Sequence, residues 1–238
     1  MHLFNKKNIL KTDLLQGITD IHTHILPGID DGVHSFNASV KSLEYLKEIG
    51  IHKIYMTPHI MEDFPQNNSD SLQTCFNEFI NDNNVDIKLE LAAEYMIDSK
   101  FTDHLKKGLL SMNGHHVLVE TSYLFPPVDF TNQLYNITLE NYIPIIAHPE
   151  RYQYMDRKEY FLLKEKNYKL QLNLLSLCGY YGKNIQTRAE FLLKNDLYDF
   201  VGSDFHNLHH FKRGLNKMSL STSQIKKLRL LAKNNESL

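Results

Sequence analysis

A chain of 238 residues, 42% hydrophobic and 23% charged, can bury one sizeable core; a single domain is expected over 1–238, with 1–17 an N-terminal extension and 221–238 a closing helix and tail. A net charge of −2 argues against a nucleic-acid-binding surface, and the basic cluster Lys226, Lys227 and Arg229 reads as the solvated face of a last helix. No apolar run approaches the ~18–20 residues that span a bilayer, MHLFNKKNILKTDLL lacks the apolar core of a signal peptide, and two isolated cysteines make no disulfide scaffold, so a reduced cytoplasmic setting without membrane insertion is expected.

Nearly continuous runs rich in Val, Ile, Leu and aromatic residues predict seven strands. The first is Ile18–His22. A helical stripe of Phe36, Val40, Leu43, Leu46 and Ile49 follows and is stopped by Gly50. The second strand, Lys53–Thr57, leads into the polar, Pro-containing stretch 58–70, either a mobile flap or a plain surface loop. A second stripe, Leu72, Phe76, Phe79 and Ile80, precedes the strands Ile87–Ala93, His116–Glu120, Ile143–Ala147 and Lys169–Asn173. A third stripe, Ile185, Ala189, Leu192 and Leu193, leads to the strand Asp199–Ser203, and a last helix starts near 221–223 and runs through Ile225, Leu228 and Leu231. Continuous rather than alternating strands suit a parallel sheet covered on both faces, and seven βα alternations favour an α/β barrel over an open sheet.

Six of the seven strands end in a metal-type ligand. His22 and His24 end the first, followed by Asp30 and Asp31; His59 follows the second, Glu94 the third, Glu120 the fourth, His148 the fifth, and Asp204 with His206 the seventh. In such barrels the C-terminal strand ends carry the chemistry, so these residues converge on one face. His52, His115 and His116 fall at the opposite ends, His104 lies on a helix, and His2, His34, His209 and His210 read as exposed. A lone strand-end Glu or His is ordinarily a hydrogen-bonded structural group. The joint set is different: clustered carboxylates repel one another unless cations neutralise them, and alternate residues of His22-x-His24 can share one ion. Mixed imidazole and carboxylate donors suit Mn, Fe or Zn. A cysteine-based phosphatase is disfavoured, because the positions six after Cys75 and Cys178, where an arginine would be needed, are Asn81 and Asn184.

The segments DIHTHILPGIDDG, MTPH, VETSY, AHPERY and GSDFHN resemble those of the PHP (polymerase and histidinol phosphatase) superfamily. Within it they are similar to the bacterial capsular and exopolysaccharide tyrosine-protein phosphatases of the CpsB/YwqE type, over about residues 18–210. The resemblance implies an α/β fold, a distorted (β/α)7 barrel of the TIM-like kind, holding three divalent ions, manganese foremost with Fe, Zn or Mg as alternatives. It implies His22, His24, Glu94 and Asp204 around the first ion, Glu94 bridging to a second completed by Glu120 and His148, and Asp31, His59 and His206 around the third. Asp30 would shape the turn into Gly32 instead. It further implies a phosphate-binding Arg151. The second arginine usual after the SDxHN segment is missing, leaving Arg213 or His209 as stand-ins.

The expected reaction is phosphomonoester hydrolysis, with Arg151 neutralising the phosphoryl oxygens and His206 or His59 protonating a tyrosyl leaving group, whose pKa of ~10 asks for little acid assistance. Tyr123, Phe125 and Tyr152 are placed at the mouth, where they could stack on a phenyl ring or simply pack the rim. The substrate the resemblance implies is a phosphotyrosine protein, the tyrosine-rich tail of a membrane-bound bacterial tyrosine kinase. Two other readings stand beside it: a small-molecule phosphatase of the histidinol-phosphate kind, and a metal-stabilised binding module without catalysis.

Overall fold

The computed structural model describes residues 6–238; the first five residues of the N-terminal extension, His2 among them, lie outside the described residues. In chain order the elements are β1 (Lys7–Asn8), β2 (Ile18–Thr23), α1 (Phe36–Glu48), β3 (Ile51–Met56), β4 (His59–Ile60), α2 (Ser69–Asp82), β5 (Lys88–Leu91), β6 (Glu94–Met96), α3 (Phe101–Lys107) and β7 (His116–Glu120). They continue with α4 (Phe130–Leu139), β8 (Ile143–Ala147), α5 (Arg157–Glu165), β9 (Lys169–Asn173), α6 (Lys183–Lys194), β10 (Phe200–Gly202), α7 (Leu208–Lys217), β11 (Ser219–Leu220) and α8 (Thr222–Asn235).

One parallel sheet runs β10-β9-β8-β7-β6-β4 and another β2-β3-β5. They are two arcs of one barrel. The second and third strands, expected as Lys53–Thr57 and Ile87–Ala93, are β3 and β5, and each resumes after a short break in residues beyond the expected strand: β3 as β4, inside the stretch expected as loop, and β5 as β6. Pro58 has no N–H to give the ladder, which accounts for the first break. The ladder is bridged across both breaks by Ala92 N donating to Met56 O (2.9 Å) and Glu94 N to Pro58 O (3.1 Å). The barrel closes between its first and last strands through a parallel bridge, Thr23 to Phe205, with Asp204 N donating to His22 O (2.9 Å) and His24 N to Phe205 O (2.8 Å). The small antiparallel pair β1–β11 ties the N-terminal extension to the segment before α8.

Most core residues lie between strands and helices, where Leu43, Leu46, Leu134, Ile137 and Leu192 are fully buried. The barrel interior holds a second cluster, including Ile21, Tyr55, Leu118, Ile145 and Phe200, which fills the N-terminal end and leaves the C-terminal end to polar side chains. Asn235, at the end of α8, seals the floor near the closing seam: its amide donates to Thr19 O (2.8 Å) and Val201 O (2.6 Å) and accepts from Val201 N (3.2 Å). Helix ends follow the expected chemistry. Gly50 takes φ +105° just beyond α1, and Asn68, Asp156 and Ser221 form capping boxes on α2, α5 and α8.

Candidate metal centre

The strand ends bring every expected ligand to one face. Glu94 sits at the centre, fully buried, among four imidazoles. Its Oε2 lies 3.0 Å from His22 Nε2, 3.3 Å from His24 Nε2 and 3.3 Å from His59 Nδ1, and its Oε1 lies 3.0 Å from His148 Nε2. Glu120 Oε1 approaches His59 Nδ1 at 3.1 Å and its Oε2 lies 3.8 Å from His148. Asp204 turns Oδ1 toward His22 (3.4 Å), His24 (3.5 Å) and His206 (3.3 Å). Its Oδ2 is held instead by Arg151 Nη1 and Asn173 Nδ2, each at 2.8 Å. Asp31 Oδ1 reaches His206 (3.3 Å) and His59 (3.5 Å) at the outer edge.

Three sets of donor atoms are each close enough to share one ion: His22, His24, Glu94 and Asp204; His59, Glu94 and Glu120; and His24, Asp31, His59 and His206. The first is the expected set. The second differs: His59 joins the two glutamates, while His148 approaches the same carboxylates from the other side. In the third, His24 joins the expected three. The chemistry fits cations, since His59 Nδ1, Glu120 Oε1 and His148 Nδ1 are buried without a well-formed hydrogen bond, and buried polar atoms are ordinarily satisfied.

Two ligands stand on strained backbone. His148 has φ 33° and Asp204 φ 52°, both in the left-handed region that costs a non-glycine residue on the order of 1 kcal/mol. These conformations end β8 and β10 abruptly and turn the side chains inward.

Asp30 contributes more than turn shape. Its Oδ1 accepts from Gly32 N (3.0 Å), as expected, but Oδ2 accepts from His24 Nδ1 (2.7 Å) and His59 N (3.0 Å). Gln171 does the same for His22, its Oε1 lying 3.1 Å from Nδ1. Sequence reasoning missed Gln171, because a single polar residue inside a strand carries no distinguishing signal. Both contacts leave Nε2 of the histidine facing the cluster.

The charges are strongly coupled. Burial pulls the histidines down, but neighbouring carboxylates outweigh it. Glu94 and Asp204 raise His22 to about 9, Glu94 and Glu120 raise His59 to about 10, and Asp31 and Asp204 raise His206 to about 9. Burial acts the other way on Glu94 and Asp204, yet the facing histidines hold both carboxyls below the usual carboxylate range.

A cleft of about 220 Å³ opens over the cluster, its wall including Tyr123, Arg151, Tyr180, Tyr181 and His210. That is below the roughly 300–1,000 Å³ of drug-sized ligand pockets and suits a single side chain. The Arg151 guanidinium lies between two rings, 4.3 Å from the centre of Tyr123 and 4.6 Å from that of Tyr181. Tyr152, expected at the mouth, is instead fully buried, stacked between Tyr123 and Tyr154, and accepts from Thr121 N (3.2 Å). Phe125 is 72% exposed outside the cleft. Arg213 is exposed and lines no part of the cleft, and neither does His209; the helical turn of α7 presents His210 there instead.

The stretch 58–70 packs against the centre. Phe64 stacks on the His59 ring at 6.1 Å, and buried Asn67 donates to His59 O (2.8 Å) and Ile29 O (3.2 Å). His52 and His116 lie at the other end of the barrel, as expected, His52 beside Glu236 and His116 against Phe200. Cys178 donates to Leu175 O, and burial pushes its thiol up, the wrong direction for a nucleophile.

The family described as capsular polysaccharide synthesis, CpsB/CapC, matches residues 18–232. The tyrosine-protein phosphatase YwqE of Bacillus subtilis (strain 168) is 30% identical over 196 residues, covering 79% of this chain and 77% of that protein. The putative tyrosine-protein phosphatase CapC of Staphylococcus aureus is 30% identical over 200 residues, covering 80% and 78%. A solved structure from work on YwqE of Bacillus subtilis and CpsB of Streptococcus pneumoniae, described as unique metal-dependent tyrosine phosphatases, superimposes with a TM-score of 0.70 at 28% identity, covering 91% of this chain and 95% of that one. The phosphotriesterase homology protein of Escherichia coli shares the fold at a TM-score of 0.54 and 10% identity.

Proposed function

The chain belongs to the CpsB/CapC capsular polysaccharide synthesis family, and from that premise we propose that it is a metal-dependent tyrosine-protein phosphatase acting on phosphotyrosine in a polypeptide. The observation that carries this reading is the buried Glu94 among four imidazoles, directly beneath a cleft walled by Arg151. Three divalent ions, manganese foremost, would be held by His22, His24, Glu94 and Asp204, by Glu94 and Glu120 with His59 and His148, and by Asp31, His59 and His206. When bound, they supply positive charge to the phosphoryl group and make water a competent nucleophile near neutral pH.

The chain's own groups do the rest. Arg151, held between Tyr123 and Tyr181, offers its fork to the phosphoryl oxygens. Tyr123, 37% exposed and flanked on its faces by Arg151 and Tyr152, offers the phenyl ring of the substrate its edge to pack against. His206 is the most exposed histidine of the cluster and is best placed to give a proton to the departing phenolate oxygen, with His59 deeper behind it. Phenolate leaves readily at a pKa of ~10, so the main requirement is charge stabilisation rather than acid catalysis. His210 takes the place in the cleft wall where a second phosphate contact is needed. The partner is the phosphorylated tyrosine-rich tail of a membrane-bound bacterial tyrosine kinase. No helix of the described chain is long and apolar enough to cross a membrane, so contact with the membrane would come through that partner.

The test compares a phosphotyrosine peptide with histidinol phosphate, using metal-loaded protein and the His148→Ala variant. Preferential, metal-dependent hydrolysis of the peptide, lost in the variant, is expected. Preference for histidinol phosphate would move the reading to a small-molecule phosphatase. No turnover of either compound, or of p-nitrophenyl phosphate, would leave only a binding module.

A further inference from the structure

A second hollow, about 470 Å³, adjoins the cleft, and His206 and Asn207 line both. One wall comes from the turn after Asp31 and the start of α1, carrying His34 and Lys41; the other is the first turn and a half of α7, carrying His209 and Lys212. No acidic side chain lines the hollow, although the chain as a whole carries a net charge of −2. None of Lys41, Lys212, His34 and His209 has a carboxylate ion-pair partner among the described residues. The Lys212 ammonium is steadied instead against the Tyr45 ring, 4.1 Å from its centre. The opposite rim of the cleft differs in kind: beyond Tyr123 it carries exposed Leu124, Phe125 and Val128.

We infer that the basic hollow receives acidic side chains of the substrate polypeptide. The centre therefore selects phosphotyrosine flanked on one side by Asp or Glu. This rests on the phosphotyrosine reading and deepens it. Continuity with the cleft through His206 and Asn207 supplies the geometry. An extended chain rises ~3.3 Å per residue, so the first three positions beside phosphotyrosine span ~10 Å, the reach of an adjoining hollow. Unpaired ammonium groups facing carboxylates supply the selectivity, and because they face solvent it acts on encounter and is weakened by salt. The apolar rim offers acidic residues no such partner, so the preference is one-sided.

The experiment uses the metal-loaded full chain and a Lys41→Glu, Lys212→Glu double variant. Phosphotyrosine peptides that differ only in three Glu or three Lys residues, placed before or after the phosphotyrosine, are compared by kcat/KM at low and high salt. The parent is expected to favour Glu on one side by about tenfold at low salt, as a few exposed ion pairs allow, and less at high salt. The double variant should lose or reverse that preference while hydrolysing p-nitrophenyl phosphate at the parent rate. Equal turnover of Glu and Lys peptides by the parent, or a preference that survives the double substitution, would overturn the inference and leave the phosphatase reading standing. So would equal peptide turnover combined with parent binding to phosphatidylserine vesicles that the variant loses, which would assign the hollow to a lipid surface. A parent that hydrolyses neither p-nitrophenyl phosphate nor any peptide would bring down the phosphatase reading itself, and this one with it.

Discussion

Asp204 and His24 show how single side chains are aimed. Each uses one atom for the cluster and one for an anchor: Asp204 Oδ2 is fixed by Arg151 and Asn173, and His24 Nδ1 by Asp30. Removing an anchor leaves a ligand present but misdirected. Asp30→Ala is accordingly expected to lower metal affinity about 10–100-fold, read by competition with a chelator, without unfolding the chain. Protons and ions compete for the same imidazoles. In metal-free protein His22, His59 and His206 are raised to about 9, 10 and 9, against ~6.5 for a histidine in the unfolded chain. Their pairing with carboxylates therefore stabilises the fold fully below pH ~6.5, and this contribution is lost as pH rises through 9 to 10. Melting temperature of the metal-free protein should fall across that interval, while metal affinity rises as the protons leave; a flat melting profile would contradict the coupling. The ligand positions were legible in the sequence because each follows an apolar run. The anchors were less so: Asn173 read only as a strand end able to hydrogen-bond, and Gln171 looks like an ordinary polar strand residue until β9 is seen to point both inward.

At the level of elements, all seven barrel strands were visible, since parallel strands buried on both faces are written as unbroken apolar runs. The short resumptions β4 and β6 were not, because they depend on which neighbour receives each hydrogen bond. The breaks matter to the centre: β4 and β6 start at His59 and Glu94, so each ligand begins a fresh strand segment in register with the other. The tight approach of the first strand to its own turn is equally sequence-silent. A Cβ on Gly32 would lie 2.2 Å from His24 O and 2.4 Å from His24 Cβ. Gly32→Ala must push the turn away from β2, and a loss of about 1–3 kcal/mol in denaturant unfolding is expected, with weaker metal binding because Asp30 and Asp31 move together. Four helices, α3, α4, α5 and α7, left weaker traces; α7 in particular begins at the Asn207 cap immediately after a ligand, where the residues read as site rather than helix.

Over the whole molecule, the barrel brings buried carboxylates and imidazoles to one end and depends on the other end to stay shut. Ions that bind only the folded barrel add stability by mass action. Stripping them is expected to lower the melting temperature by at least about 5–10 °C, the loss for a single site, from ~2.7 kcal/mol at a hundredfold excess over Kd and ~2–4 °C per kcal/mol for a chain of this size. No change on chelation would argue that the cluster is already satisfied without them. The floor is a separate determinant. Asn235→Ala would orphan partners on both strands flanking the seam and is expected to cost roughly 3 kcal/mol in unfolding experiments, at about 1 kcal/mol for each of three hydrogen bonds, while leaving the metal-to-protein ratio unchanged.

The ring-guanidinium-ring stack at the mouth also makes the centre open to optical measurement. The chain contains no tryptophan. Replacing Tyr123 by Trp would put the molecule's sole indole against the Arg151 guanidinium, where its emission would respond when that cation turns to an incoming anion. Occupancy of the cleft could then be followed by fluorescence with unreactive phosphonate analogues, separating recognition of the substrate from its turnover.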